Sequence, residues 1–133
     1  MNGLLADTHV LLWYLFEPAE LSRAAESALS ALVESGGIIY VSAISLVEIR
    51  YLTEKQRVSD IVWTKVILAC LDSKVPIELL PVDMSVARAM DQVSRRAVPD
   101  MPDRIVAATA IANGLSLVTA DRLIRSSSVP TVW

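Results

Sequence analysis

Four separated stretches of this chain place an acid where chemistry could use it. They are Leu4-Leu5-Ala6-Asp7-Thr8-His9, Ser42-Ala43-Ile44-Ser45-Leu46-Val47-Glu48, Pro102-Asp103-Arg104-Ile105-Val106-Ala107-Ala108 and Leu117-Val118-Thr119-Ala120-Asp121. Gathered within several ångströms, four carboxylates repel one another, which destabilises the fold or raises their pKa values. A divalent cation removes that conflict. Oxygen ligands favour Mg²⁺ or Mn²⁺, and Mg²⁺ commonly takes one or two carboxylates plus waters and a substrate phosphate. A single His and a single Cys argue against zinc. Such a cation polarises a phosphate, acidifies a bound water and orients an in-line attack. The expected chemistry is therefore hydrolysis of a phosphodiester, with Asp7, Glu48, Asp103 and Asp121 as metal ligands and catalytic groups. Taken one at a time, each acid has a plainer explanation. Asp7, Asp103 and Asp121 suit helix N-caps, and Ser45 with Glu48 reads as a capping box.

The elements that must position these acids follow an alternating pattern. Short apolar runs at 3–6, 38–41, 77–82, 115–119 and 129–133 read as strands. Longer periodic stretches between them read as helices: 10–16, 21–34, 45–53, 60–71, 84–96 and 103–113, with a short helix carrying Leu123 and Ile124. Gly36-Gly37 and Gly114 stop two of these helices. Alternation of this kind predicts an α/β fold, a three-layer sandwich about a parallel sheet. Pro81 and Pro130 cannot donate to a ladder, so their strands belong at the edges. Two such edges are consistent with the strand order 3-2-1-4-5. In that order the first and fourth strands meet where the topology reverses, the usual place for a ligand in an open α/β sheet. Helices that follow parallel strands start at the carboxyl edge, so all four acids belong on that edge.

Bulk properties bound the rest. The 133 residues fit one domain spanning 1–133. Hydrophobic residues at 53% and charged residues at 20% exclude a disordered tail. A net charge of −3 argues against a surface coated in Lys and Arg for general nucleic-acid binding, though not against a nuclease with a local basic rim. Cys70 stands alone, so no internal disulfide can form; it reads as a small buried hydrophobe in a reducing compartment. The N-terminal stretch has no signal-peptide pattern, and no apolar run approaches the roughly 20 residues needed to span a bilayer. A soluble cytoplasmic protein is expected.

As a set, in order and over essentially the whole chain, the four stretches resemble the motifs of the PIN domain, and most closely those of VapC-type toxins of toxin–antitoxin pairs. Leu5-Ala6-Asp7-Thr8-His9-Val10-Leu11-Leu12-Trp13 resembles the first motif and Val41-Ser42 through Leu46-Val47-Glu48-Ile49 the second. Asp103 through Ala110 resembles the third, and Val118-Thr119-Ala120-Asp121 the fourth. The resemblance implies a Mg²⁺- or Mn²⁺-dependent endoribonuclease with Asp7, Glu48, Asp103 and Asp121 in its acidic site, leaving 5′-phosphate and 3′-hydroxyl ends. It further implies a homodimer neutralised by a VapB-like antitoxin that docks a peptide over the site.

Accessory candidates surround the acids. Thr8 and Thr119 are placed to bind a metal water or phosphate, His9 to touch substrate, and Arg104 and Arg122 to hold RNA phosphate, with Arg95, Arg96 and Arg125 as weaker members of that rim. Asp100, three residues before Asp103, reads as loop support. Trp13, Tyr14 and Phe16 among Leu11, Leu12 and Leu15 either line a groove for a partner or pack in the core. Two other function classes compete. A non-catalytic PIN-like domain for RNA binding or protein interaction would tolerate loss of site acids, whereas all four positions here are acidic. An aspartyl-phosphate protein would place its acids on the same edge. A phosphatase would want a second Asp where His9 stands, and a receiver with Asp83 as acceptor would want a Lys near the last strand.

Overall fold

The computed structural model describes residues 1–133. Its order is β1 (Gly3–Ala6), α1 (Thr8–Phe16), α2 (Arg23–Glu34), β2 (Ile38–Ser42), α3 (Ala43–Glu54), α4 (Asp60–Leu71), β3 (Ile77–Leu80), α5 (Met84–Ala89), α6 (Met101–Asn113), β4 (Leu117–Val118), α7 (Arg122–Arg125) and β5 (Thr131–Val132). The five strands are all parallel, in the order β3-β2-β1-β4-β5. Both edge strands are those flagged by proline. Pro81 lies just beyond β3, and Pro130 just before β5, where its carbonyl still accepts from Leu117 N–H. No helix is long and apolar enough to cross a membrane.

Alternation along the strands splits the core into two layers. Leu5, Tyr40, Leu80 and Leu117 face the side covered by α5, α6 and α7, where they pack with Val86, Val106, Ala110 and Ile124. Their neighbours Ala6, Ile39, Val41 and Val118 face the other side, where they meet Val10 and Leu11 of α1, Leu29 of α2, Ile49 of α3 and Val66 of α4. Strands buried on both faces must be apolar throughout, which is why these runs show no polar alternation. The aromatic group Trp13, Tyr14 and Phe16 is partly buried against this second layer, and the Trp13 ring lies 5.7 Å from that of Trp133. Cys70 is likewise half-buried, and burial pushes its thiol pKa up.

Three differences from the sequence reading of the helices bear on the site and its surroundings. The cap of α3 is Ser42, whose hydroxyl accepts from Ile44 N–H; Ser45 and Glu48 lie inside the helix, so the expected capping box does not form. Helix α6 starts at Met101, with Asp100 in the cap position and Pro102 in the first turn. Asp103 is therefore a first-turn residue and not the cap. The helix expected over 84–96 ends as an α-helix at Ala89 and continues only as a 3₁₀ turn at Met90–Gln92. In that turn the Arg104 guanidinium donates to Met90 O and Val93 O.

Gly36 (φ 79°) and Gly114 (φ 63°) take the left-handed conformation just past α2 and α6, where glycine carries no Cβ penalty.

Candidate active site

All four acids lie on segments at the carboxyl edge of the sheet: Asp7 and Asp121 just past the paired strands β1 and β4, Glu48 in α3 after β2, and Asp103 in the first turn of α6. A single residue separates β1 from α1, and that residue is Asp7. Its backbone N–H donates to Val118 O, which locks it to β4. Both of its side-chain oxygens are engaged. Oδ1 accepts from Thr8 N–H at 2.7 Å, and Oδ2 accepts from the Thr119 hydroxyl at 2.7 Å. The residue is only 7% exposed. Burial pushes its pKa up, against the lowering effect of the Thr119 and Thr8 hydrogen bonds.

Thr119 links two of the acids. Its hydroxyl donates to Asp7 and accepts from Asp121 N–H at 3.0 Å. Asp121 caps α7, with Oδ1 accepting from Leu123 N–H and Ile124 N–H. Thr119 N–H in turn donates to Val132 O of β5. Asp121 is thus a helix cap, and Thr119 ties it to Asp7.

Thr8 makes the corresponding link to the second segment. Its hydroxyl donates to Glu48 Oε1 at 2.7 Å and lies 2.8 Å from the hydroxyl of Ser45, which is fully buried. One turn of α3 separates Ser45 from Glu48, so both face α1. Burial pushes the Glu48 pKa up; the Thr8 bond lowers it and the charge of Asp7 raises it again. Ser45 is a member of this cluster that the sequence reading missed. Its spacing to Glu48 suggests a cap, and nothing local points to Thr8, 37 residues away.

Asp103 is half-buried, and its pKa is pushed up to about 7, first by burial and then by the charges of Asp7, Asp121, Asp100 and Glu48. The four charges that raise it are all carboxylates. Acids from four separate segments thus share one field. Asp100 belongs to this field too: its side chain makes no cap bond, and its charge acts on both Asp103 and Glu48.

The accessory residues divide. His9 is exposed near the start of α1, its ring 5.9 Å from Trp13, and its charge lowers the pKa values of Asp7 and Glu48. Arg104 faces the Met90 and Val93 carbonyls, not the acids, so its guanidinium is committed to the fold. Arg122 is exposed and lines a cavity with Arg125, Ser126 and Thr131. Arg95 and Arg96 lie exposed in the loop before α6.

The sequence matches the PIN domain family over residues 4–127. The chain belongs to the PIN domain family. It is 35% identical over 136 residues to Ribonuclease VapC22 of Mycobacterium tuberculosis, with 100% of both chains covered. Its PIN fold is shared with solved structures at lower identity. One is the VapBC2 complex of Rickettsia felis bound to a promoter DNA fragment (TM-score 0.73, 15% identity, 97% of this chain and 96% of that one). Another is VapBC-5 of Mycobacterium tuberculosis (TM-score 0.58, 19% identity, 98% of each chain).

The donor set of this PIN domain suits a hard divalent cation. It offers carboxylate oxygens, hydroxyls and almost no soft ligand. No three of the acids stand close enough to form a ready-made cage. Mg²⁺ is usually held by one or two carboxylates and several waters, so a hydrated ion fits this spacing.

Proposed function

We propose that residues 1–133 act as one PIN-like domain, a metal-dependent endoribonuclease, and that it is the toxin of a VapBC-type toxin–antitoxin pair. Asp7, Glu48, Asp103 and Asp121 hold Mg²⁺ or Mn²⁺, with RNA as substrate. A VapB-like antitoxin is the partner, the chain forms a homodimer, and the site of action is the cytoplasm. The toxin role is supported by full-length similarity to a protein named as a VapC ribonuclease.

The observation that carries the chemistry is the charge conflict at Asp103, whose carboxyl is held up to about 7 by burial and by four other carboxylates. A cluster so arranged is costly to the fold and is relieved by a divalent cation. When bound, the cation supplies charge neutralisation and an acidified water. The chain's own residues do the positioning. Two donors fix the Asp7 carboxylate and one fixes Glu48, so neither has to reorganise on binding. Asp103 must lose its proton before it can ligate, so metal affinity rises with pH through about 7.

The test is cleavage of a mixed cellular RNA pool by purified protein with Mg²⁺, with Mn²⁺ and with chelator, beside Asp7→Asn of equal folded content. Metal-dependent cuts reduced about 100-fold or more in Asp7→Asn are expected. Cuts that persist in that variant would remove the four-carboxylate site. An inactive but folded wild type, tested across RNA classes, would favour a non-catalytic PIN-like binding domain.

A further inference from the structure

We propose that the cavity between α7 and β5, lined by Arg122, Arg125, Ser126 and Thr131, binds a backbone phosphate of the RNA strand on the flank of the acid site. The inference rests on the ribonuclease reading above for the identity of the strand.

The cavity has a volume of about 360 Å³, and none of its four lining residues is hydrophobic or acidic. In a chain with 15 acids against 12 bases, a cavity with two arginines and no carboxylate is an exception to the average charge. Guanidinium forks match phosphate oxygens in pairs, and two hydroxyls add short donors to the same oxyanion. Phosphate is thus the ligand chemistry the lining fits.

The backbone that carries this lining is held in place. Arg122 and Arg125 are three apart on α7, so their side chains leave the same face. That helix is pinned by the buried Ile124 and by two N–H bonds to Asp121. Thr131 pairs with Leu117 in the β4–β5 ladder.

Position selects the occupant. Arg122 follows Asp121 directly, and Val132, next to Thr131, accepts from Thr119, the residue that holds Asp7. The cavity's lining is therefore tied to the acid site through chain neighbours on α7 and β5. An acidic peptide would also suit the arginine forks. Only a nucleic-acid strand must set one phosphate among the acids while presenting the next to a neighbouring site. The other arginine beside a site acid, Arg104, is committed to carbonyls and leaves this duty to the α7 pair.

The experiment measures binding of a labelled short single-stranded RNA by fluorescence anisotropy, over a range of KCl concentrations. Chelator and an Asp7→Asn background keep the RNA intact. Arg122→Ala with Arg125→Ala is compared with Arg57→Ala with Lys74→Ala, which removes the same charge from two exposed sites on segments outside the cavity. The α7 pair is expected to bind about tenfold more weakly than the control pair. Its plot of log affinity against log salt should be shallower by about 0.7 for each phosphate no longer neutralised. Arg122→Lys with Arg125→Lys should keep the slope and recover only part of the affinity, because an ammonium lacks the planar fork.

Equal affinity and slope in the two alanine pairs, both folded by thermal unfolding, would overturn the proposal. So would an α7 pair that keeps RNA affinity but loses binding to a polyglutamate peptide. A wild type that cuts no RNA with Mn²⁺, while the α7 pair still governs RNA binding, removes the ribonuclease reading and leaves the phosphate site standing. Cleavage with a silent α7 pair does the reverse.

Discussion

Asp103→Asn should stabilise the metal-free protein, by an amount that grows as pH rises from about 4 to about 7. The carboxyl moves from an ordinary 3.8 to about 7 in the fold. If fully dry, ionising it at alkaline pH would cost the folded state about 4 kcal/mol. The side chain is half-buried, so solvent screening reduces this to about 2 kcal/mol. The N-terminus of α6 favours a negative charge in its first turn by about 0.3–1 kcal/mol, which Asn gives up. The net gain is about 1–1.5 kcal/mol, or a Tm rise of about 3–6 °C. The sign follows from proton counting. Between about pH 4 and pH 7 the folded chain keeps this proton and the unfolded chain does not, so wild-type stability falls as pH rises through that window. At about pH 4, where the folded wild type holds this carboxyl protonated, the two proteins should melt together; at about pH 8 the variant should melt higher. Thermal melts by circular dichroism in chelator read this directly. Added Mg²⁺ or Mn²⁺ should raise the wild type more than the variant. Equal destabilisation of the variant at both pH values would refute the charge-conflict argument.

Thr8→Val keeps the shape but strips Glu48 and the buried Ser45 of a partner, so it should cost about 1–3 kcal/mol in urea unfolding. The Thr8 bond holds the Glu48 carboxyl down, so its loss should also move the rise of RNA cleavage to higher pH in a pH–rate profile. Ile49→Ala opens a cavity at a fully buried position between α3 and the sheet and should cost about 2–5 kcal/mol by the same unfolding assay. Gly3→Ala would drive a Cβ into the Tyr40 ring and the Ile38 carbonyl, and should lower the urea midpoint by about 1–3 kcal/mol equivalent.

The sheet's edges are readable because proline marks them: Pro81 and Pro130 flank β3 and β5, whereas the order of the three interior strands carries no such mark. Placement of the acids on one edge follows from the same topology. Helix starts are harder, because two serines three residues apart both satisfy the cap rule. The structure uses Ser42, whose hydroxyl also meets Thr109 of α6 at 3.1 Å, a contact 67 residues away that no local pattern encodes. Freed from capping, Ser45 and Glu48 turn to Thr8. Asp103 shows the same limit. Pro102 fits the first turn of a helix, which makes Asp100 the cap position and leaves Asp103 to join the acids. Arg104 suggests a phosphate ligand by its neighbour alone, whereas its reach is decided by the Met90 and Val93 carbonyls in the turn after α5.

The Thr119 hydroxyl that holds Asp7 bridges 112 residues of chain, and Thr119 is itself held by Val132. Along the time axis of synthesis, this separation is a delay. At roughly 5–20 residues per second, Thr119 is made about 6–22 seconds after Asp7, and β5 later still. Through that interval β1 can pair with β2 but not with β4, and Asp7 has the Thr8 N–H but not the Thr119 hydroxyl. A ribosome-bound chain therefore sits beside its own messenger with its acids still dispersed. Under the ribonuclease reading, the ability to cut arrives only when the chain through β5 has emerged and paired, so the order of synthesis protects the message being translated.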